Sequence, residues 1–145
     1  MQSEGAMIKD LSEVGYANIK QFEVAISSAT GEGLKVRFDL DKELLTWNDG
    51  YMWNNNFMRG MNADKIDYLR ENLPQTKMLE WMISYNAGRA DDVGHATANP
   101  CIWQIKVYFD NDETLSSTSC QHFPNDWAKL KKIIEKMTEC TFRLR

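Results

Sequence analysis

Alternation of apolar and polar residues predicts strands in the first part of the chain. Phe22, Val24 and Ile26 alternate with polar or small neighbours, and apolar residues alternate again through 35–44 up to a cluster of aspartates. A half-buried strand requires this period of two, and aspartates supply turn residues before a further strand. The pattern therefore predicts one strand followed by a hairpin.

A second hairpin is predicted later in the chain. At a shift of 71 residues the segment 35–44 aligns with 106–115, and Lys, Val, Phe, Asp, Asp and Leu coincide. The segment 79–85 also alternates, although its methionines and leucine would fit one face of a helix equally well. We interpret it as a strand because the repeat requires one before the second hairpin.

Apolar residues at spacings of three and four predict a helix after each hairpin. These residues are Ile66, Leu69 and Leu73 in the first helix and Trp127, Leu130 and Ile134 in the second. Asn62 can cap the first helix, and a proline with an acidic residue stands near the start of the second. The start signals and the periodicity agree for both helices.

These elements predict one α+β domain over residues 1–145. An N-terminal segment, 1–18, precedes a first βββα half over 19–73 and a second over 77–140, and a pseudo-twofold axis relates the halves. Such halves give a mainly antiparallel sheet of about six strands with two helices packed on one face, because each amphipathic helix must bury its apolar stripe.

An insertion distinguishes the first half from the second. The segment 51–60 lies between the third predicted strand and the first helix, where the second half has no counterpart. Its aromatic, methionine and asparagine residues, on an expected loop, can pack on the core, contact another copy or bind a ligand. The candidate binding residues are Trp47, Tyr51, Trp53, Asn54, Asn55, Phe57 and Arg59.

Candidate chemistry elsewhere is sparse. The second half has a polar insertion at 88–100, which is typical of a connecting loop. Cys101, Cys120 and Cys140 form no metal-ligand spacing with the two histidines, so neither a metal nor another cofactor is expected. The sequence lacks the common nucleotide-binding, zinc-protease and hydrolase motifs, which favours a binding module over an enzyme. A cysteine-dependent enzyme that uses Cys101 or Cys120 is an alternative.

Charge and hydropathy bear on partners and location. The chain contains no run of about 20 apolar residues and no apolar leader, so we expect a cytoplasmic protein without a membrane partner. A net charge of −4 disfavours nucleic acid, although Lys129, Lys132 and Lys136 share the outer face of the last predicted helix. A protein partner or self-association, for example as a homodimer, is the leading expectation, and a small molecule or sugar is a further option.

The layout of two strand-rich units, each closed by a helix, resembles that of PUR-repeat and Whirly-type proteins. This resemblance implies binding of single-stranded nucleic acid on the sheet. The stretch from Trp103 to Leu130 also looks like the hairpin-plus-helix ending of small bacterial proteins, which implies no function. The leading hypothesis is a non-enzymatic binding or protein-interaction module that uses 51–60, with single-stranded nucleic-acid binding as the second hypothesis.

Overall fold

A computed structural model of the chain places six strands in one sheet and three helices beside it, within the residues that it describes. It describes residues 15–28, 33–52, 54–89, 102–119, 123–124 and 126–143. The strands are β1 (Ile19–Ser27), β2 (Gly33–Asp39), β3 (Leu44–Asp49), β4 (Phe57–Gly60), β5 (Trp103–Phe109) and β6 (Thr114–Ser119). The helices are α1 (Ala63–Asn72), α2 (Met78–Arg89) and α3 (Trp127–Thr138), and a 3₁₀ turn covers Leu73–Thr76. The predicted α+β class and six-stranded antiparallel sheet are confirmed.

The strand order places β1 inside the sheet, between two hairpins. The order is β4-β3-β2-β1-β5-β6, and every neighbouring pair is antiparallel. Four strands precede α1 and two strands follow α2. The predicted βββα order therefore holds for neither half, because the first is ββββα and the second is αββα.

The prediction of a strand at 79–85 is wrong, since this segment lies within α2. Thr76 caps the helix start: its hydroxyl accepts a hydrogen bond from the Met78 N–H at 3.1 Å. Lys77 turns the chain with a φ of 56°, and the Trp81 indole donates to the Thr76 carbonyl at 3.1 Å. This local start signal, together with good helix formers, outweighs the analogy with the first half.

The two hairpins do not share a side-chain pattern in their second strands. Leu44 and Leu115 coincide in the sequence repeat, yet Leu44 pairs with Asp39 whereas Leu115 pairs with Val107. Val107 is a buried core residue, and Asp39 lies on the opposite face of the sheet. The matched leucines thus face opposite sides, and the pseudo-twofold axis stays a prediction.

The core lies between the helices and one face of the sheet. Phe22 and Phe38 stack across neighbouring strands with ring centroids 4.8 Å apart. Trp81, Trp103 and Trp127 form an aromatic cluster whose centroids lie between 5.6 and 6.4 Å apart. The apolar stripe predicted for the last helix is buried here. Burial of side chains of this size contributes about 1.5–3 kcal/mol each.

The opposite face of the sheet, called the open sheet face, carries mainly polar side chains. Its positions alternate along each strand with the core positions, as the pleat requires. They include Glu23, Lys35, Arg37, Thr46, Asn48, Met58, Gln104, Lys106 and Tyr108. A sheet with one apolar and one polar face explains the alternating burial of β2 and β5.

Candidate functional site

The segment 51–60 consists of a turn and a strand at the edge of the sheet. The predicted loop is wrong for its second part, because Phe57–Gly60 form β4 and pair with β3. The pairing runs from Trp47 opposite Phe57 to Leu44 opposite Gly60. The insertion therefore extends the sheet, and β4 lies at one end of the strand order.

Asp49 organises the turn before β4. Its carboxylate is buried, and Oδ1 accepts the backbone N–H groups of Tyr51 at 2.8 Å and Met52 at 3.2 Å. Oδ2 accepts the amide of Asn55 at 2.8 Å. In return, Asn56 Oδ1 accepts the Asp49 N–H at 2.9 Å. The Asn55 amide, which the sequence predicts to bind a ligand, thus donates to a carboxylate within the turn.

Two glycines allow the backbone to close up beside this turn. The Gly50 N–H donates to the Gly33 carbonyl at 2.7 Å, and a Cβ at Gly50 would lie 2.9 Å from that oxygen. A Cβ at Gly33 would lie 1.8 Å from the Ile26 carbonyl oxygen. Neither position has room for a side chain, so the turn is held against β2 by backbone contact.

Trp47 lies in the core, with 1% of its surface exposed. Phe57 stacks on it with centroids 6.3 Å apart, and Phe142 meets it edge-on at 6.0 Å. The Arg59 guanidinium lies 4.5 Å from the Phe57 ring centroid and 3.9 Å from the Glu139 carboxylate. Three of the candidate residues therefore come together, but as an intramolecular stack rather than as an exposed ligand platform.

The exposed residues of 51–60 are not those that stack on Trp47. Asn54 is exposed, Tyr51 is half-buried against the core, and Trp53 lies outside the described residues. Among the described residues, the large hydrophobic side chains that are exposed to solvent are Met52, at 44% exposure, and Met58, at 66%. Sequence reasoning missed both methionines, since only the pairing of β4 with β3 puts Met58 on the open sheet face.

The open sheet face carries a small cationic group around one carboxylate. Glu23 is buried, and its Oε1 lies 3.3 Å from the Arg37 guanidinium and 3.9 Å from the Lys35 ammonium. Lys106 stands opposite Glu23 in the β1–β5 register and has no ion pair with any described residue. Positive charge thus exceeds negative charge in this row of the sheet.

The lysines of the last helix lie apart from this row. Lys129, Lys132 and Lys136 are exposed on α3, which packs its other side on the core face of the sheet. The Lys136 ammonium lies 4.9 Å from the Tyr68 ring centroid, and Lys129 lies 4.0 Å from Asp126. A ligand that rests on the open sheet face would therefore not reach these lysines.

The cysteine hypothesis stays a prediction, because Cys101, Cys120 and both histidines lie outside the described residues. Cys140 is half-buried, and burial raises the pKa of its thiol. A raised thiol pKa lowers the thiolate fraction near neutral pH. Across the described ranges, no three His, Cys, Asp or Glu side chains gather in a way that could hold a metal ion.

Two cavities lie away from 51–60. One, of about 380 Å³, is lined by Lys20, Gln21, Tyr108, Phe109, Asp112 and Glu113. The other, of about 250 Å³, is lined by Ile26, Phe123, Trp127, Lys131, Phe142 and Arg143. Neither of these two cavities is lined by a described residue of 51–60.

No protein-family model matches the sequence, and no curated protein matches it. Within the described residues, no helix combines the length and the apolar character needed to cross a membrane. The class that fold and site define is an α+β protein with an open sheet face and a methionine-bearing edge.

Proposed function

We propose that this chain is a non-enzymatic module that binds a protein partner through the segment 51–60. The observation that carries the proposal is the exposure of Met52 and Met58, since both lie in this one segment. Each buried Å² of apolar surface contributes about 25 cal/mol, which favours covering such side chains. Methionine is also common on surfaces that adapt to a partner, because its side chain is unbranched and polarizable.

The shape of the segment favours a protein over a small molecule. Small ligands are usually enclosed in a cavity, whereas Met52 and Met58 project from the surface, at 44% and 66% exposure. The segment is held from within by Asp49 and by the stack of Phe57 on Trp47. A surface that is ordered before binding loses less conformational entropy when a partner docks.

A methionine double variant tests this proposal. Met52→Ser with Met58→Ser removes the exposed apolar surface without touching the core, whereas replacing Phe57 would also disturb Trp47. The immobilised chain and the double variant are compared for captured proteins by quantitative mass spectrometry, with Gln104→Ser as an exposed control. We expect the double variant alone to lose specific partners. Equal capture by a folded double variant would exclude the segment as the binding site.

Single-stranded nucleic acid is a second candidate ligand, and the open sheet face supports it. Arg37 and Lys106 lie in one row across the sheet, and Tyr108 lies two residues from Lys106 on the same face. Cations that follow a backbone and an aromatic ring that stacks on a base are the usual elements of such binding. Fluorescence anisotropy with short oligonucleotides at low salt decides this, and no binding there would remove the candidate.

A further inference from the structure

We infer that β4 accepts an extended segment of the partner protein as an added antiparallel strand, in which an acidic residue stands opposite Arg59 between apolar residues. This inference rests on the proposed function, because it specifies how 51–60 would bind its partner. It concerns the backbone of β4, whereas the proposed function concerns the side chains of Met52 and Met58. The two can therefore fail separately.

The backbone of β4 has unused hydrogen-bonding groups that face away from the sheet. The Met61 N–H donates to the Glu43 carbonyl at 2.8 Å, so alternate residues of β4, Phe57 and Arg59, point their backbone groups at β3. The intervening residues, Met58 and Gly60, then direct N–H and C=O outwards. The β2–β3 pairing agrees independently, because the Gly50 N–H bonds to the Gly33 carbonyl.

These outward groups have no hydrogen-bond partner among the described residues. The N–H and C=O groups of Met58 and Gly60 can form four hydrogen bonds with one added antiparallel strand. In that strand two residues would each donate one bond and accept one bond. Natural sheets usually protect such an edge with a charge that points inwards, a proline or a covering helix. Met58 and Gly60, at the outward positions of β4, are neither charged nor proline, and the protective feature that β4 does have is its short length of four residues.

The side chains on each face of β4 specify the chemistry of the added strand. Met58 extends from the open sheet face at 66% exposure, so an apolar residue opposite it would bury both side chains. Gly60 has no atom within 4 Å of its missing Cβ, which leaves room for a large residue opposite it. Arg59 points to the other face, where Glu139, itself exposed, lies 3.9 Å away. An acidic residue opposite Arg59 would add a second carboxylate to this cation.

Charge favours a foreign segment over a second copy of this chain. Two β4 strands related by a twofold axis use all four groups only when Met58 pairs with Gly60 of the other copy. That register places the two Arg59 side chains directly opposite each other, and like charges at opposite positions destabilise a sheet. An acidic residue in that place has the reverse effect.

The experiment uses a fluorescent peptide that alternates leucine and glutamate, with a leucine–lysine peptide as its charge-reversed counterpart. Gly60→Pro removes one outward N–H, and proline is tolerated where a strand N–H faces solvent. Gly60→Ala is the matched control, since the free protein has space for that Cβ. Circular dichroism and thermal unfolding establish that both variants fold.

We expect the leucine–glutamate peptide to bind the native chain and Gly60→Ala with similar affinity, and to bind Gly60→Pro at least about tenfold more weakly. The leucine–lysine peptide should also bind at least about tenfold more weakly than the acidic one. NMR hydrogen exchange should slow at the Met58 and Gly60 amides when the acidic peptide is bound. No peptide binding, or binding without slower exchange at these amides, overturns the inference.

The methionine double variant separates this inference from the proposed function. If Met52→Ser with Met58→Ser abolishes protein capture while Gly60→Pro leaves it unchanged, the segment binds through side chains and strand addition is excluded. If neither variant changes capture, both proposals fail. If the native chain is a dimer that Gly60→Pro converts to a monomer, a second copy occupies the edge and the foreign segment is excluded.

Discussion

Replacing Asp49 should loosen the turn that precedes β4 by an amount that its hydrogen bonds determine. From the described residues around it, the carboxylate accepts two bonds from backbone N–H groups and one from the Asn55 amide. Each is worth about 1 kcal/mol net, because water competes for them in the unfolded chain. Asp49→Ala should therefore lower the free energy of unfolding by about 3 kcal/mol. Asp49→Asn can keep the two backbone bonds but sets an amide against the Asn55 amide, so we expect a loss of about 1–2 kcal/mol.

Urea unfolding followed by tryptophan fluorescence measures both variants. Asp39→Ala is a matched control, because Asp39 Oδ1 accepts the N–H groups of Asp41 at 3.1 Å and Lys42 at 2.9 Å in an exposed hairpin turn. Water can replace those bonds, so the control should lose less than about 1 kcal/mol. Equal losses for Asp49→Ala and Asp39→Ala would show that burial of the Asp49 carboxylate does not strengthen its bonds.

Three further predictions concern other parts of the fold. Tyr16→Phe should cost about 1–3 kcal/mol, because the buried hydroxyl donates to Glu80 at 2.6 Å and accepts the Leu79 N–H at 2.9 Å. Burial is the main cause that raises the pKa of the Tyr16 hydroxyl in the folded chain, and the bond to Glu80 is the second. The contribution of Tyr16 to the free energy of unfolding is therefore complete below about pH 10 and decreases at higher pH. Urea unfolding from pH 8 to 11 should show a smaller decrease in stability for Tyr16→Phe than for the native chain. Cys140, whose thiol pKa burial raises, should react with iodoacetamide at pH 8 more slowly in the folded chain than in urea, as followed by mass spectrometry. Gly33→Ala should cost at least about 3 kcal/mol in urea unfolding, because its Cβ would collide with backbone.

Each of these predictions has a result that would contradict it. Unchanged stability of Tyr16→Phe would mean that water satisfies the Leu79 N–H, and the same alkaline fall as in the native chain would assign the titration to other groups. Equal alkylation rates for folded and unfolded Cys140 would show that the thiol is open to solvent. Gly60→Ala is the control for Gly33→Ala and should lie within about 1 kcal/mol of the native chain, since a strand glycine is itself unfavourable.

The sequence alone predicts the strands and helices whose pattern of apolar residues lies within the element itself. Phe22, Val24 and Ile26 alternate because β1 has one buried face, and the stripe that begins at Trp127 repeats at helical spacing because α3 buries one side. The segment 79–85 was misread because its apolar residues fit both periods. Thr76 and Lys77 fix the helix start through a hydroxyl cap and a positive φ, neither of which alternation can reveal.

The candidate site was harder to predict, because exposure of its residues depends on pairing between strands. Trp47, just before the segment 51–60, and Met58, within it, are both large apolar residues, yet Trp47 is buried and Met58 is exposed. The face of the sheet on which each side chain lies depends on the pairing of Trp47 with Phe57. The same strand brings the Arg59 guanidinium over the Phe57 ring. The bond by which the Asp49 carboxylate holds the Asn55 amide joins side chains six residues apart, and only the folded geometry shows it.

The central position of β1 constrains the order in which the chain can complete its sheet during synthesis. One edge of β1 pairs with β2, which follows almost at once, but the other edge pairs with β5, whose first residue, Trp103, comes 76 positions after Ser27. Until those residues leave the ribosome, the N-terminal sheet ends in an unpaired strand that contains Phe22 and Val24. Strands in this condition readily pair with other chains, so a nascent or truncated product that ends before β5 should need a chaperone to stay soluble.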